Sequence, residues 1–216
     1  FLFNLLKANK KSWAAYLPDI PDNVKQVKVQ GQRKFTLVLN RSYSPIWFTG
    51  NQLSQLMPIP QHAWDKTSAN GKIGNWDQTP AGAKAVYDFL IGEAKKAKEY
   101  ATNPLWQVVD GPWKLSEYRT DGYSAFVPNP KYSGPVKPKL DKFIEQPFTT
   151  AQAELNVLRS GGVDYGYLPQ SEVAQAKALE GQGYTFAPWV SWGINYLPFN
   201  FANPDVGPIF KQLYVR

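Results

Sequence analysis

An α/β fold is the class this sequence predicts, and three observations predict it. The 216 residues are 43% hydrophobic and 15% aromatic, enough to bury a core. Eighteen prolines and sixteen glycines cut the chain into many short elements. Segments of alternating, β-rich character are interleaved with segments of helical period. The expected architecture is a mixed β-sheet with flanking helices plus a smaller α+β subdomain, with residues 1–103 forming the smaller subdomain and 104–216 the main sheet domain.

The elements follow in order. Val24–Gln30 and Lys34–Asn40 are β-rich runs around Gly31 and predict a hairpin. Ser44-Pro45 offers a helix start leading into Ile46–Leu56, stopped by Met57-Pro58-Ile59-Pro60. Lys66–Gln78 reads as a loop. Thr79-Pro80 opens a second helix whose Ala83, Val86, Tyr87, Leu90, Ile91 and Ala94 keep helical spacing, and Asn103-Pro104 ends it.

From Gly111 the pattern turns to strands. Trp113–Tyr118 and Tyr123–Val127 flank Asp121-Gly122, a hairpin signal, and Leu140–Phe148 is a third run. Thr150–Arg159 reads as a helix closed by Gly161-Gly162, followed by a short strand at Val163–Leu168 and a helix at Gln170–Leu179. Tyr184–Ala187 and Ser191–Phe201 are expected strands, and Pro208 begins a last helix. No repeat of fixed period is present.

Composition also narrows function. No run reaches the roughly 18 apolar residues of a membrane span. The opening residues lack both an initiator Met and the features of a signal peptide, so the chain reads as an internal piece of a longer protein. With no cysteine, disulfides and thiolate chemistry are excluded. The single histidine, His62, sits in Pro60-Gln61-His62-Ala63-Trp64 and reads as a loop residue near a tryptophan. One histidine leaves only oxygen ligands for a metal, and no phosphate-cradling glycine motif is present, so no cofactor is expected.

The net charge of +7 and the Lys95, Lys96, Lys98 cluster could serve nucleic acid, but no reading motif accompanies them. A solvated helix face is the simpler account, and no nucleic-acid partner is expected. Asp110, Glu117, Asp121, Glu145 and Asp164 could in principle supply a hydrolytic carboxylate pair, with nothing to single out two of them.

Aromatic residues are the richest feature. Trp47, Trp106, Trp113, Trp189, Trp192 and Tyr196 suit either a core or a ligand pocket. Strand alternation in Trp189–Tyr196 separates Trp192, Ile194 and Tyr196 from Ser191, Gly193 and Asn195.

Several phrases, in order, resemble a known family. Val109-Asp110-Gly111-Pro112-Trp113-Lys114-Leu115 is similar to a Gly-x-Gly-Pro-aromatic-x-Leu strand, with Val109 in place of the first glycine. Asn129-Pro130-Lys131-Tyr132-Ser133-Gly134 resembles an Asn-Pro-x-Tyr-x-Gly turn. Gly162-Val163-Asp164, Tyr196-Leu197-Pro198-Phe199-Asn200, Leu213-Tyr214-Val215-Arg216 and Pro60-Gln61-His62-Ala63-Trp64 add further matches. Together they resemble extracytoplasmic solute-binding proteins of the oligopeptide- and dipeptide-binding family, which serve ABC importers.

The resemblance implies lobe one of a type II, cluster C periplasmic-binding-protein fold, with the closing lobe absent from this chain. It implies capture of a peptide or other small solute without catalysis and delivery to an ABC permease. The full-length protein would be a monomer, periplasmic or lipid-anchored on the outer face of the cell membrane. It points to Trp47, Gln55, Trp189, Trp192, Asn195 and Tyr196 as cleft residues, with Asp164 in a structural turn. A carbohydrate-active enzyme or a non-catalytic cell-surface module is the rival expectation.

Overall fold

The computed structural model describes residues 1–13, 20–189 and 197–213. Helices and strands segregate into two units, Phe1–Pro147 and Phe148–Arg216. The change of pattern at Asn103 falls inside the first. Mixed helix and sheet content agrees with the α/β class.

In the first unit the organising helix is α4, Pro80–Ala94. Thr79 Oγ1 accepts from the Gly82 amide at 3.1 Å and Pro80 occupies the first turn, so the start carries both a cap and a residue that needs no N–H partner. Ala83, Val86 and Leu90 recur at helical spacing and are buried against Leu5 of α1 (Leu2–Ala8) and Leu105. Phe1, Ile59, Trp64, Phe89 and Trp106 close the rim of this core. The buried stripe is narrower than the sequence pattern: Tyr87 is half-buried and Ile91 is 41% exposed.

Gly82 is required by a close approach. A Cβ there would stand 2.0 Å from the Trp76 carbonyl oxygen. The helix stops at Ala94 rather than running to Asn103. Asn103 instead caps the 3-10 turn Pro104–Gln107, accepting from the Leu105 amide at 3.0 Å while its own amide donates to Glu93 at 2.8 Å.

The expected hairpin forms as β1 (Val24–Val29) and β2 (Phe35–Leu39), with Gly31 at φ 141° in the turn. The register pairs Val27 with Leu37 and Val29 with Phe35. These four therefore share one face. The helix expected over Ile46–Leu56 is instead three successive turns: α2 (Pro45–Trp47), a π-turn over Phe48–Gln52 and a 3-10 turn over Leu53–Gln55. The wide turn occurs where buried Gln52 accepts from buried Asn23 at 2.7 Å.

Strands β3 (Trp113–Tyr118), β4 (Ser124–Pro128) and β5 (Phe143–Glu145) form an antiparallel sheet in that order. Asp121 Oδ1 accepts from the Tyr123 amide at 3.0 Å and Gly122 adopts φ 100°, which makes the β3–β4 turn. Only Phe143–Glu145 of the Leu140–Phe148 run is strand. After β4, buried Asn129 donates to the Gly111 carbonyl at 2.9 Å and accepts from the Lys131 amide at 3.1 Å. One side chain thereby ties the Asn-Pro turn to the residues that precede β3.

The second unit is built on α5 (Ala151–Arg159), capped by Thr150 Oγ1, which accepts from the Ala153 amide at 3.1 Å. Gly161, at φ 71°, lets the chain turn back, and its amide and that of Gly162 satisfy the carbonyls of Leu158 and Val157. Leu155 and Leu158 pack with Leu179 of α6 (Ala176–Glu180), with Val163, Leu168 and Tyr184 around them.

Several expected elements differ here. Val163–Leu168 and Tyr184–Ala187 are irregular rather than strands. The Gln170–Leu179 helix is a 3-10 turn over Gln170–Gln175 followed by α6. Of the expected strand Ser191–Phe201, residues 191–196 lie outside the described residues, and Phe201 sits in a turn. The last helix, α7, is Gly207–Phe210.

Candidate functional site

The segment after α5 shapes a concavity in the second unit. Glu154 of α5 accepts from the Tyr167 amide at 2.7 Å, so a side chain takes the place of a neighbouring strand. Gly166 sits directly over the helix: a Cβ there would lie 3.1 Å from Glu154 Oε1 and 3.3 Å from Leu158 Cδ1. The close approach pins the backbone and turns the side chains on either side, Tyr165 and Tyr167, outward, where they are 66% and 60% exposed.

These two rings pack edge to face at 5.7 Å, and Tyr167 repeats the arrangement with Trp189 at 5.9 Å. The Tyr184 hydroxyl is 2.6 Å from the Val163 carbonyl and 3.0 Å from that of Leu158, anchoring the far chain to the same helix. Between them lies a cleft of about 580 Å³ lined by Leu158, Tyr165, Tyr167, Leu179, Tyr184, Phe186 and Trp189, with Asp164 and Glu180 also present. Its size and mainly apolar, aromatic lining are those of a small-ligand site. A polar depression of about 510 Å³ shares Asp164, Gly183 and Tyr184 with it and adds Arg159.

Desolvation, then the Tyr167 hydroxyl and the Glu154 carboxylate, push the Tyr165 phenol above its ordinary value.

The residues singled out from sequence fall as follows. Trp189 stands at this cleft. Trp47 and Gln55 belong to the first unit. Trp47 stacks on Tyr43 at 5.8 Å and 15°, and exposed Gln55 donates to the Asn51 carbonyl at 2.7 Å. Trp192, Asn195 and Tyr196 lie outside the described residues. Tyr165, Tyr167 and Phe186 were not anticipated. The signal was the alternation Tyr165-Gly166-Tyr167, which places two aromatics on one side of an extended segment. His62 is exposed in the short helix α3 (Gln61–Trp64).

Among the described residues no group of three or more His, Cys, Asp or Glu is arranged to hold a metal. Within them no helix is long and apolar enough to cross a membrane.

An aromatic-walled cleft of this size on the helices of the second unit has the character of a small-ligand surface. Bacterial extracellular solute-binding proteins, family 5 Middle, match residues 1–216, and the chain belongs to this family. It is 29% identical over 128 residues to proteins of Brucella ovis, Brucella abortus and Brucella suis, provisionally named ABC transporter peptide-binding proteins. That match covers 55% of this chain and 22% of each relative's length. No solved structure matches.

Proposed function

We propose that this chain supplies one wall of the solute-binding site of an ABC importer's substrate-binding protein, and that the solute is a peptide or a similar small molecule. The observation that carries the reading is the cleft beside Tyr165, Tyr167 and Trp189, three exposed rings linked in series through Tyr167 around apolar space. Exposed rings held by one another and by a backbone–carboxylate bond lose little rotamer freedom when a ligand covers them.

No bond is made or broken in this role. Aromatic faces take apolar side chains of the solute, while Asp164, Glu180 and the tyrosine hydroxyls supply polar partners through direct contacts or water. Trp47 and Gln55 in the first unit, and Trp192, Asn195 and Tyr196, are proposed as further ligand contacts of the full-length protein. We place residues 1–103 and 104–216 as two parts of lobe one of a type II, cluster C binding protein. The family's extracellular character supports a location in the periplasm or at the cell surface; we take a membrane permease as the partner and a monomer as the working form.

The test is a tryptophan-fluorescence titration of the full-length protein with a peptide mixture. Saturable quenching is expected, and Trp189→Ala should weaken it about tenfold, near 1.4 kcal/mol. Because Trp189 is 64% exposed, the unfolding midpoint should stay unchanged. Absence of saturation with any peptide, or an unaltered Kd in the variant, overturns the assignment.

A hydrolase reading draws on the two carboxylates at the same cleft, Asp164 and Glu180. It requires turnover of an oligosaccharide that Asp164→Asn or Glu180→Gln abolishes while binding survives.

A further inference from the structure

The first unit buries two acidic side chains that the solute cleft does not use. Asp65 is 0% exposed and Asp77 is 2% exposed. They are brought together by α3, which ends just before Asp65, and the 3-10 turn Trp76–Gln78. One Gln61 amide nitrogen donates to both, 3.0 Å from Asp65 Oδ2 and 3.1 Å from Asp77 Oδ1. Asn4 of α1 and Gln78 donate to Asp77 Oδ2 at 2.7 and 3.0 Å. Three of the four carboxylate oxygens are thus satisfied. The fourth, Asp65 Oδ1, is buried and has no donor.

Charge makes this costly. An ionised carboxylate taken out of water needs a compensating charge or a full set of hydrogen bonds, and two side by side repel. Among the described residues, the positive group in contact with the pair is the Phe1 amino group, 3.7 Å from Asp77 Oδ2. In any longer chain that nitrogen belongs to a peptide bond and is neutral. The other neighbours, Asn4, Gln61 and Gln78, are neutral donors. Lys7 of α1 is engaged elsewhere, on the Val24 carbonyl, and Lys66 lies on the Ala69 carbonyl at 2.9 Å. Lys84 of α4 pairs with Asp88.

We propose that Asp65 and Asp77, joined through the Gln61 amide, hold a single proton between them, carried on Asp65 with its unpartnered oxygen, and that this carboxyl–carboxylate pair is an acid-favouring latch joining α1, α3 and the 3-10 turn before α4. One proton removes the second negative charge and turns the orphaned oxygen into a donor. The Asp65 backbone carbonyl also accepts from the Gly74 amide at 3.0 Å, so the latch closes the intervening loop as well.

Solution behaviour follows with a definite sign. Burial pushes both carboxyls up. In Asp77 the hydrogen bonds from Asn4, Gln78 and the Asp65 carboxyl, together with the charge of the Phe1 amino group, outweigh it and leave the group low, whereas Asp65 stays above its ordinary 3.8. The Asp65 contribution to stability is therefore complete below pH 3.8 and is lost as pH rises through the folded-state value. The Asp77 contribution runs the other way, present above 3.8 and lost as pH falls.

The experiment follows the unfolding midpoint of the full-length protein and of Asp65→Asn against pH. Asn mimics the protonated carboxyl, so the midpoint of the variant should gain on the wild type as pH rises from 3.8 to the folded-state value of Asp65 and then level off, and parallel curves throughout overturn the proposal. Side-chain carboxyl NMR of the wild type gives a second readout that needs no variant. One aspartate should titrate above the ordinary range and its partner below, and two ordinary titrations overturn the pair. Calcium at millimolar concentration distinguishes a bound cation from the proton: a calcium-dependent rise of the wild-type midpoint at neutral pH, missing in Asp65→Asn, assigns the site to a metal and overturns the latch.

Discussion

The two units solve opposite problems with the same kind of helix. In Phe1–Pro147 the helix α4 buries Ala83, Val86 and Leu90, and polar groups are carried inside with them: Asn9, Asn23, Gln52, Asp65, Asp77 and Glu93. Among the described residues of Phe148–Arg216 the helix α5 buries Leu155 and Leu158 against one further buried residue of the cluster, Leu179, while Tyr165, Tyr167 and Trp189 stay uncovered. Buried polar networks fix a single arrangement because each group must find its partner. A thin apolar core with uncovered rings keeps surface available for a ligand. The contrast is between a unit whose core holds paired polar groups and one that leaves aromatic rings uncovered.

The largest effect should come from cutting the thinner core. Leu155 is 0% exposed, and Leu155→Ala removes its side chain from a three-residue cluster at a cost of about 2–5 kcal/mol. Hydrogen exchange should show the amides of 151–185 losing protection while those of α4 keep theirs. Equal loss in both units would mean that they unfold as one. Gly82→Ala comes next. Helix propensity alone favours alanine by about 1 kcal/mol, yet a Cβ 2.0 Å from the Trp76 carbonyl cannot be accommodated without moving backbone. A net loss of about 1–3 kcal/mol in urea unfolding is expected, and a gain would show that the Trp76 turn yields.

Legibility follows the same division. The start of α4 was readable from Thr79-Pro80 and its periodic apolar face, and the β3–β4 hairpin from Asp121-Gly122, because each signal lies within a few residues of the structure it dictates. The irregular path of Val163–Leu168 was not readable. Its Tyr167 amide is satisfied by Glu154, thirteen residues earlier, and a period-two pattern cannot announce a side chain in the role of a strand. Trp189 was singled out from sequence and stands at the cleft, but Tyr165 and Tyr167 were absorbed into an expected strand. The buried Asp77 sat in what read as a polar loop, since composition cannot tell a solvated carboxylate from one taken inside by Asn4 and Gln78.

The smallest expected effect sharpens the contrast inside the first unit itself. Glu93 is buried at the end of α4, and its carboxylate accepts from Lys96 at 2.6 Å and from Asn103 at 2.8 Å. The Lys96 bond outweighs desolvation and, with Asn103, holds Glu93 below its ordinary 4.5. Here a true counter-charge is present, so the sign opposes that of Asp65: stability is present above pH 4.5 and lost as pH falls through the lowered value. The Lys96 side chain is 47% exposed, and solvent screening keeps the contribution small. Glu93→Gln should therefore trail the wild type slightly at neutral pH and converge with it in acid. A gap that widens in acid would mean that Glu93, like Asp65, is held by a proton and not by its lysine.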